Sequence, residues 1–103
     1  MNIESYKISG ELDSFNYQQV QDDIQAIMEK GSSVVMDMTD CNYVSSTGLR
    51  VLLYSKKVAA SKGRNFYLVG ICNEVKDVMD VTGFSTFFDC FSTIEECLEK
   101  VKG

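Results

Sequence analysis

Asp40-Cys41-Asn42-Tyr43-Val44-Ser45-Ser46-Thr47-Gly48-Leu49-Arg50 is the stretch that decides how this chain folds. The apolar run Val34-Val35-Met36 arrives before it, and Leu49, Leu52 and Leu53 leave it at helical spacing. A strand therefore feeds a helix through the hydroxyl-rich turn 44–48. A helix start exposes backbone N–H groups and the positive end of the helix dipole, so it suits an oxygen acceptor or an anion.

Upstream, the continuous apolar run suits a strand covered on both faces, predicted over residues 33–38. Asp37 is placed to accept hydrogen bonds from nearby turn N–H groups. Thr39, Asp40 and Asn42 are turn formers, and Tyr43-Val44 is a short extended segment that delivers the chain to the turn. Val20, Ile24, Ile27 and Met28 line one face of a helix running to about residue 30, with Asp13, Ser14 or Asn16 as its cap; if Asn16 is the cap, Gln19 completes a capping box. Residues 3–8 alternate, with Ile3, Ser5 and Lys7 on one face and Glu4, Tyr6 and Ile8 on the other. Gly10-Glu11-Leu12-Asp13 breaks that strand.

Downstream, Leu49, Leu52, Leu53, Lys56 and Ala60 form the stripe of a helix over residues 47–62, ended by Gly63. Residues 65–69 are a second apolar strand. Asn73 caps a third helix with Val75, Val78, Met79 and Thr82 inward, ended by Gly83. Phe87-Phe88 is a short strand. Ser92-Thr93-Ile94-Glu95 is a capping box that opens a fourth amphipathic helix through Ile94, Cys97, Leu98 and Val101.

Alternation of this kind gives an α/β fold: one domain over residues 1–103, with a mixed, mostly parallel sheet of about four strands and four helices, joined by right-handed crossovers. Functional groups in such sheets gather beyond the carboxyl ends of the strands, where Ser45-Ser46 falls.

Composition narrows the function. The net charge of −5, with no basic stripe, argues against a nucleic-acid partner. The longest apolar runs are too short to span a membrane, which predicts a cytoplasmic protein. Histidine is absent, and the four cysteines, Cys41, Cys72, Cys90 and Cys97, have neither CxxC nor zinc spacing. No metal and no cofactor is expected. The chain carries no P-loop, no GxGxxG and no G-x-S-x-G elbow, so it is not expected to be an enzyme. The turn itself has two readings: a helix cap that does nothing further, or a site where a hydroxyl meets a partner.

The segment Val35-Met-Asp-Met-Thr-Asp-Cys-Asn-Tyr-Val-Ser-Ser-Thr-Gly-Leu-Arg-Val-Leu-Leu53 resembles the signature of STAS domains, the fold of bacterial anti-sigma factor antagonists. The likeness continues through Gly10-Glu-Leu-Asp13, Asn65-Phe-Tyr-Leu-Val69, Val81-Thr-Gly-Phe84 and the Ser92 box. It implies an antagonist that, unphosphorylated, binds an anti-sigma factor with serine-kinase activity and so releases the sigma factor. Phosphorylation at the start of the second helix switches binding off, and a PPM-type serine phosphatase resets it. The matching acceptor is Ser46, with Ser45 as second choice because the family often has Asp there. Partner-binding positions on this resemblance are Asp13, Ser14, Tyr43, Val44, Ser45, Thr47, Gly48, Leu49 and Arg50. The family usually has two strands before the Gly-Glu-Leu-Asp segment and only one fits here, so a sheet edge is open and the chain is expected to be a monomer or a weak homodimer. A STAS module that is not phosphorylated and serves another complex, such as a lipid transporter, is the alternative. A small enzyme or ligand-binding domain using the turn as an anion site is a third.

Overall fold

The computed structural model describes residues 2–102. In chain order it contains β1 (Ile3–Leu12), α1 (Tyr17–Glu29), β2 (Ser33–Val44), α2 (Ser46–Ser61), β3 (Phe66–Val69), α3 (Asn73–Thr82), a 3-10 turn (Phe84–Phe87), β4 (Asp89–Phe91) and α4 (Ile94–Lys102). The strands lie in the order β1-β2-β3-β4. Their pairings are all parallel, so the expected mixed sheet is a parallel one among the described residues.

Each crossover steps one place across the sheet in the same direction. Connections of one hand then place their helices on one face. Val20, Ile24 and Met28 of α1, Leu49, Val51 and Leu52 of α2, and Val75 and Met79 of α3 accordingly share one core with Val34, Met36, Met38, Phe66 and Leu68. α4 feeds no further described strand and covers the opposite face, where Cys97, Ile94 and Val101 meet Val35, Tyr67 and Val69. The Val34-Val35-Met36 run is therefore buried from both sides.

Two strands run further than their sequences suggest. β1 does not break at Gly10-Glu11-Leu12, and β2 continues through Thr39, Asp40 and Asn42 to Val44. The reason is a pair of bulges. From Lys7↔Asp37 to Ser9↔Asp40, β1 advances two residues while β2 advances three. From Gly10↔Cys41 to Glu11↔Tyr43, β1 advances one and β2 two. Each extra residue resets which face the next side chain takes. Burial along β2 thus falls on Met38, Cys41 and Val44, every third residue, while polar residues bulge outward between them. Gly10 absorbs the distortion with φ +86°. Leu12 then reaches the core fully buried.

Local chemistry also departs from expectation at the helix ends. Asn16 precedes α1, but its side chain makes no cap bond to the helix; Gln19 donates to Asp23 instead. In α2 the buried residues are Gly48, Leu49, Val51, Leu52, Ser55 and Ala59, so Leu49 and Leu52 of the expected stripe are buried while Leu53 and Lys56 are only partly so and Ala60 is exposed. In α3 only Val75 and Met79, four residues apart, are buried; this stripe is one residue wide per turn, so Val78 and Thr82 face solvent. Cys72, not Asn73, is the residue before α3. Phe87 belongs to the 3-10 turn and Phe88 to its end, with the strand following at Asp89–Phe91. The α4 cap is Thr93, whose hydroxyl accepts from the Glu96 N–H at 3.1 Å, one residue later than expected. The Glu96 carboxylate accepts from the Ser92 N–H in return.

Candidate functional site

The long β1 and β2 end side by side, and their ends build the turn. The Ser45 N–H donates to the Leu12 carbonyl at 2.9 Å, which ties the start of α2 to the end of β1. Ser45 is extended, with φ −76° and ψ 172°, and its hydroxyl accepts from the Gly48 N–H at 3.1 Å. Its carbonyl accepts the first helical bond, from Leu49 N–H. Ser45 is thus the helix cap.

Gly48 is what lets the helix start lie so close to β1. A Cβ there would stand 2.6 Å from the Leu12 carbonyl oxygen and 2.9 Å from both Leu12 Cγ and Val44 Cγ1. No side chain fits, so the glycine sets the depth of the turn.

Ser46 is the first helical residue and is exposed. Among the described residues its hydroxyl makes no hydrogen bond. The two serines, equivalent in sequence, are separated by their surroundings: one hydroxyl is committed to the backbone and the other is open.

The neighbouring β1–α1 loop is held by a reciprocal pair. Asp13 N–H donates to Asn16 Oδ1 at 2.9 Å, and Asp13 Oδ1 accepts from the Phe15 and Asn16 N–H groups at 2.9 and 3.3 Å. Asn16 Nδ2 donates to the Glu11 carbonyl at 2.6 Å. Between α1 and α2 lies an open cleft of about 560 Å³, lined by Ser14, Tyr17, Gln21, Thr47, Arg50, Val51 and Tyr54. Arg50 is exposed and forms no ion pair among the described residues.

Ser14, Thr47 and Arg50, expected to contact a partner, are therefore assembled on one surface, with Asp13 bracing the loop beside them and Tyr43 exposed at the end of β2. Val44, Gly48 and Leu49 are not on that surface. They are buried, because the bulged end of β2 and the first turn of α2 point their apolar sides into the core. Missing from the expected set are Phe15, 95% exposed, and Tyr54. Phe15 falls off the apolar periodicity of α1, which was the available signal.

The other titratable groups have structural surroundings. Burial pushes the thiols of Cys41, Cys90 and Cys97 above their usual range, so thiolate is scarce at neutral pH. Tyr6 is pushed up to about 12, first by burial and then by its 2.7 Å hydrogen bond to the Asp23 carboxylate and that group's charge. Asp37 accepts from the Thr39 N–H and hydroxyl at 3.0 and 2.6 Å, the turn-bracing role read from the sequence. No group of acidic, cysteine or histidine residues suited to a metal occurs among the described residues. A second cleft of about 370 Å³, between α3 and the start of α4, includes Lys76, Met79, Cys90 and Glu96 and shares no lining residue with the first.

A parallel sheet with three helices on one face, and a capped serine turn at the carboxyl end of the inner strand β2, defines a small α/β module that presents a hydroxyl-bearing helix start at one end of its sheet. The STAS domain model matches residues 2–97, and the chain belongs to the STAS domain family. It is 30% identical over 82 residues to a candidate anti-sigma factor antagonist, BtrV, of Bordetella bronchiseptica, covering 79% of this chain and 71% of that one. It is 24% identical over 78 residues to the anti-sigma-B factor antagonist of Staphylococcus epidermidis, covering 75% of this chain and 72% of that one. The crystal structure of a candidate anti-sigma factor antagonist from Thermotoga maritima superposes with a TM-score of 0.90 at 22% identity, covering 98% of this chain and 88% of that one. That likeness establishes the shared fold. Among the described residues no helix is long and apolar enough to cross a membrane.

Proposed function

We propose that this chain is an anti-sigma factor antagonist in the cytoplasm, and that phosphorylation of Ser46 switches off its binding to the anti-sigma factor. Family membership and the names of its relatives support the class. The observation that carries the choice of Ser46 is the division of labour in the turn: Ser45 spends its hydroxyl on the Gly48 N–H, while Ser46 presents a free hydroxyl at a helix start.

The chain acts as the substrate and ligand of a serine kinase that is also the anti-sigma factor. The Ser46 oxygen attacks the γ-phosphorus of ATP, a new P–O bond forms, ADP departs with the electrons of the broken bond, and the hydroxyl proton passes to a base on the kinase. None of the described side chains around the turn is a histidine base, so the kinase supplies it. The phosphoryl group adds roughly −1.5 to −2 charge at neutral pH. The helix N-terminus tolerates that charge within this domain. A partner surface packed on the turn has to exclude or neutralise it, so the complex dissociates without refolding. A PPM-type phosphatase restores the hydroxyl. Among the described residues no strand pairs with the outer edge of β1, which is compatible with a monomer or a weak homodimer.

Phosphopeptide mapping of the protein from its host, under growth and under stress, tests this directly. The expected result is one phosphoryl group, on Ser46, that changes with condition. Ser46→Ala should bind the kinase constitutively and Ser46→Asp weakly. Equal binding by the two variants, or a phosphoryl group confined to Ser45, defeats the proposal.

A further inference from the structure

Phe15 is unusual for a soluble surface: a phenylalanine 95% exposed, on a loop that is not slack. Its own N–H is held by the Asp13 carboxylate at 2.9 Å, and Asn16 ties the same loop back to Glu11 at 2.6 Å. The ring is therefore presented from a braced backbone, and only its own rotamers are left to order on contact. Phe15 does not itself line the α1–α2 cleft, but it follows Ser14 in the chain and precedes Tyr17, both of which line it with Arg50 and Tyr54, so the ring stands at the cleft's rim. Aromatic and Arg residues in this density are the side chains that dominate binding energy at protein interfaces. The cleft includes Thr47 of the Ser46 turn and Arg50 one helical turn beyond Ser46, so this surface is continuous with the proposed switch.

We infer that Phe15 is the anchor of the partner interface, inserting into an apolar pocket of the anti-sigma kinase, with Arg50 meeting a carboxylate beside that pocket. The charge pattern supports that partner chemistry. Arg50 is the one charged residue lining the cleft, in a chain of net charge −5, so the local demand is for an anion although the whole chain is acidic. The same geometry explains why modification at Ser46 acts on docking. Ser46 and Arg50 are four residues apart on α2, hence neighbours on one helix face. A phosphate on Ser46 pairs with Arg50 and repels the carboxylate that Arg50 would otherwise receive. Phe15 keeps its position throughout, which makes it a constant anchor beside a variable charge.

This inference rests on the proposed Ser46 switch, and the two are separated by one experiment. The kinase is purified from the source organism by its ATP-dependent phosphorylation of Ser46, and its kinetics are measured with wild-type chain and with Phe15→Ala, Phe15→Leu and Ser46→Ala. Phe15→Ala is expected to raise KM about ten-fold or more with kcat little changed, the pattern of lost uniform binding. Phe15→Leu, which keeps an apolar anchor, is expected to recover most of that loss. An exposed ring leaves folding intact, so the thermal melt of Phe15→Ala should match wild type. If phosphorylation disappears in Ser46→Ala but KM is the same in Phe15→Ala, the anchor is overturned and the switch stands. If no activity that modifies Ser46 exists, both fall. If sedimentation shows that Phe15→Ala turns a dimer into a monomer, the occupant of the surface is a second copy of this chain and the inference is likewise overturned.

Discussion

Replacing Gly48 with alanine adds a single methyl group at the third residue of α2, a place where helix propensity alone favours alanine by about 1 kcal/mol. The structure reverses that sign. The new Cβ would sit 2.6 Å from the Leu12 carbonyl oxygen, where ordinary contact needs about 3.4 Å, so the backbone has to open by about 0.8 Å. The obstructing atom is backbone, and it already accepts the Ser45 N–H, so it cannot swing aside. Leu12 Cγ and Val44 Cγ1, each 2.9 Å away, belong to buried residues with no free volume. Overpacking costs about 1–3 kcal/mol; against a fixed backbone atom the upper part of that range, about 2–3 kcal/mol, applies, and the propensity gain of about 1 kcal/mol offsets part of it. The net is a loss of roughly 1–2 kcal/mol. At about 4–8 °C per kcal/mol for a domain near this size, Tm should fall by roughly 5–15 °C. Urea unfolding followed by circular dichroism gives the free energy, and an unchanged m-value confirms that the native state is perturbed locally. A variant as stable as wild type, or more so, would show that α2 does not rest on β1 as described.

The two serines of the turn should separate under the same assay. Ser45→Ala removes the cap and should lower stability by about 1 kcal/mol, whereas Ser46→Ala should stay within about 0.5 kcal/mol; equal losses would contradict the assignment of the cap. Tyr6 gives a pH signature. Its folded pKa is raised above the unfolded value of 10.0, so the stability it contributes is full below pH 10 and is lost as pH climbs toward about 12. Tyr6→Phe should lose roughly 1 kcal/mol at neutral pH and show a shallower decline on the alkaline side; parallel curves would rule out the Asp23 contact. Once Ser46 carries phosphate, Arg50 should depress its second ionisation. Arg50→Gln should then raise that pKa by about 0.3 unit in a 31P NMR titration, and an unmoved midpoint would exclude the pair.

What could be read from the chain were the features with short-range causes. Alternation of apolar strands with amphipathic helices was visible because a 3.6-residue period and a β run leave distinct marks on consecutive residues. Val34-Val35-Met36 announced a doubly covered strand, and the hydroxyl turn before Leu49 announced a helix start. Thr93 and Glu96, by contrast, form their cap one residue beyond the expected box, since Ser92 and Thr93 are equivalent in sequence and only the path of β4 chooses between them.

Sequence by itself determined the fold class, the place of the turn and the two hydroxyls in it, since each depends on residue type and spacing. Tertiary structure alone decided which hydroxyl is free. That choice needs the end of β1, thirty residues and more away in the chain, whose Leu12 carbonyl holds Ser45 in its capping geometry. It also decided that β2 runs on through its polar residues, because bulges against β1 carry Met38, Cys41 and Val44 to the core at a spacing no regular strand shows. Burial of Val44, Gly48 and Leu49 and exposure of Phe15 follow from the same pairing. A side chain's partner across the sheet is set by register, and register is a property of two strands together that neither carries in its own residues.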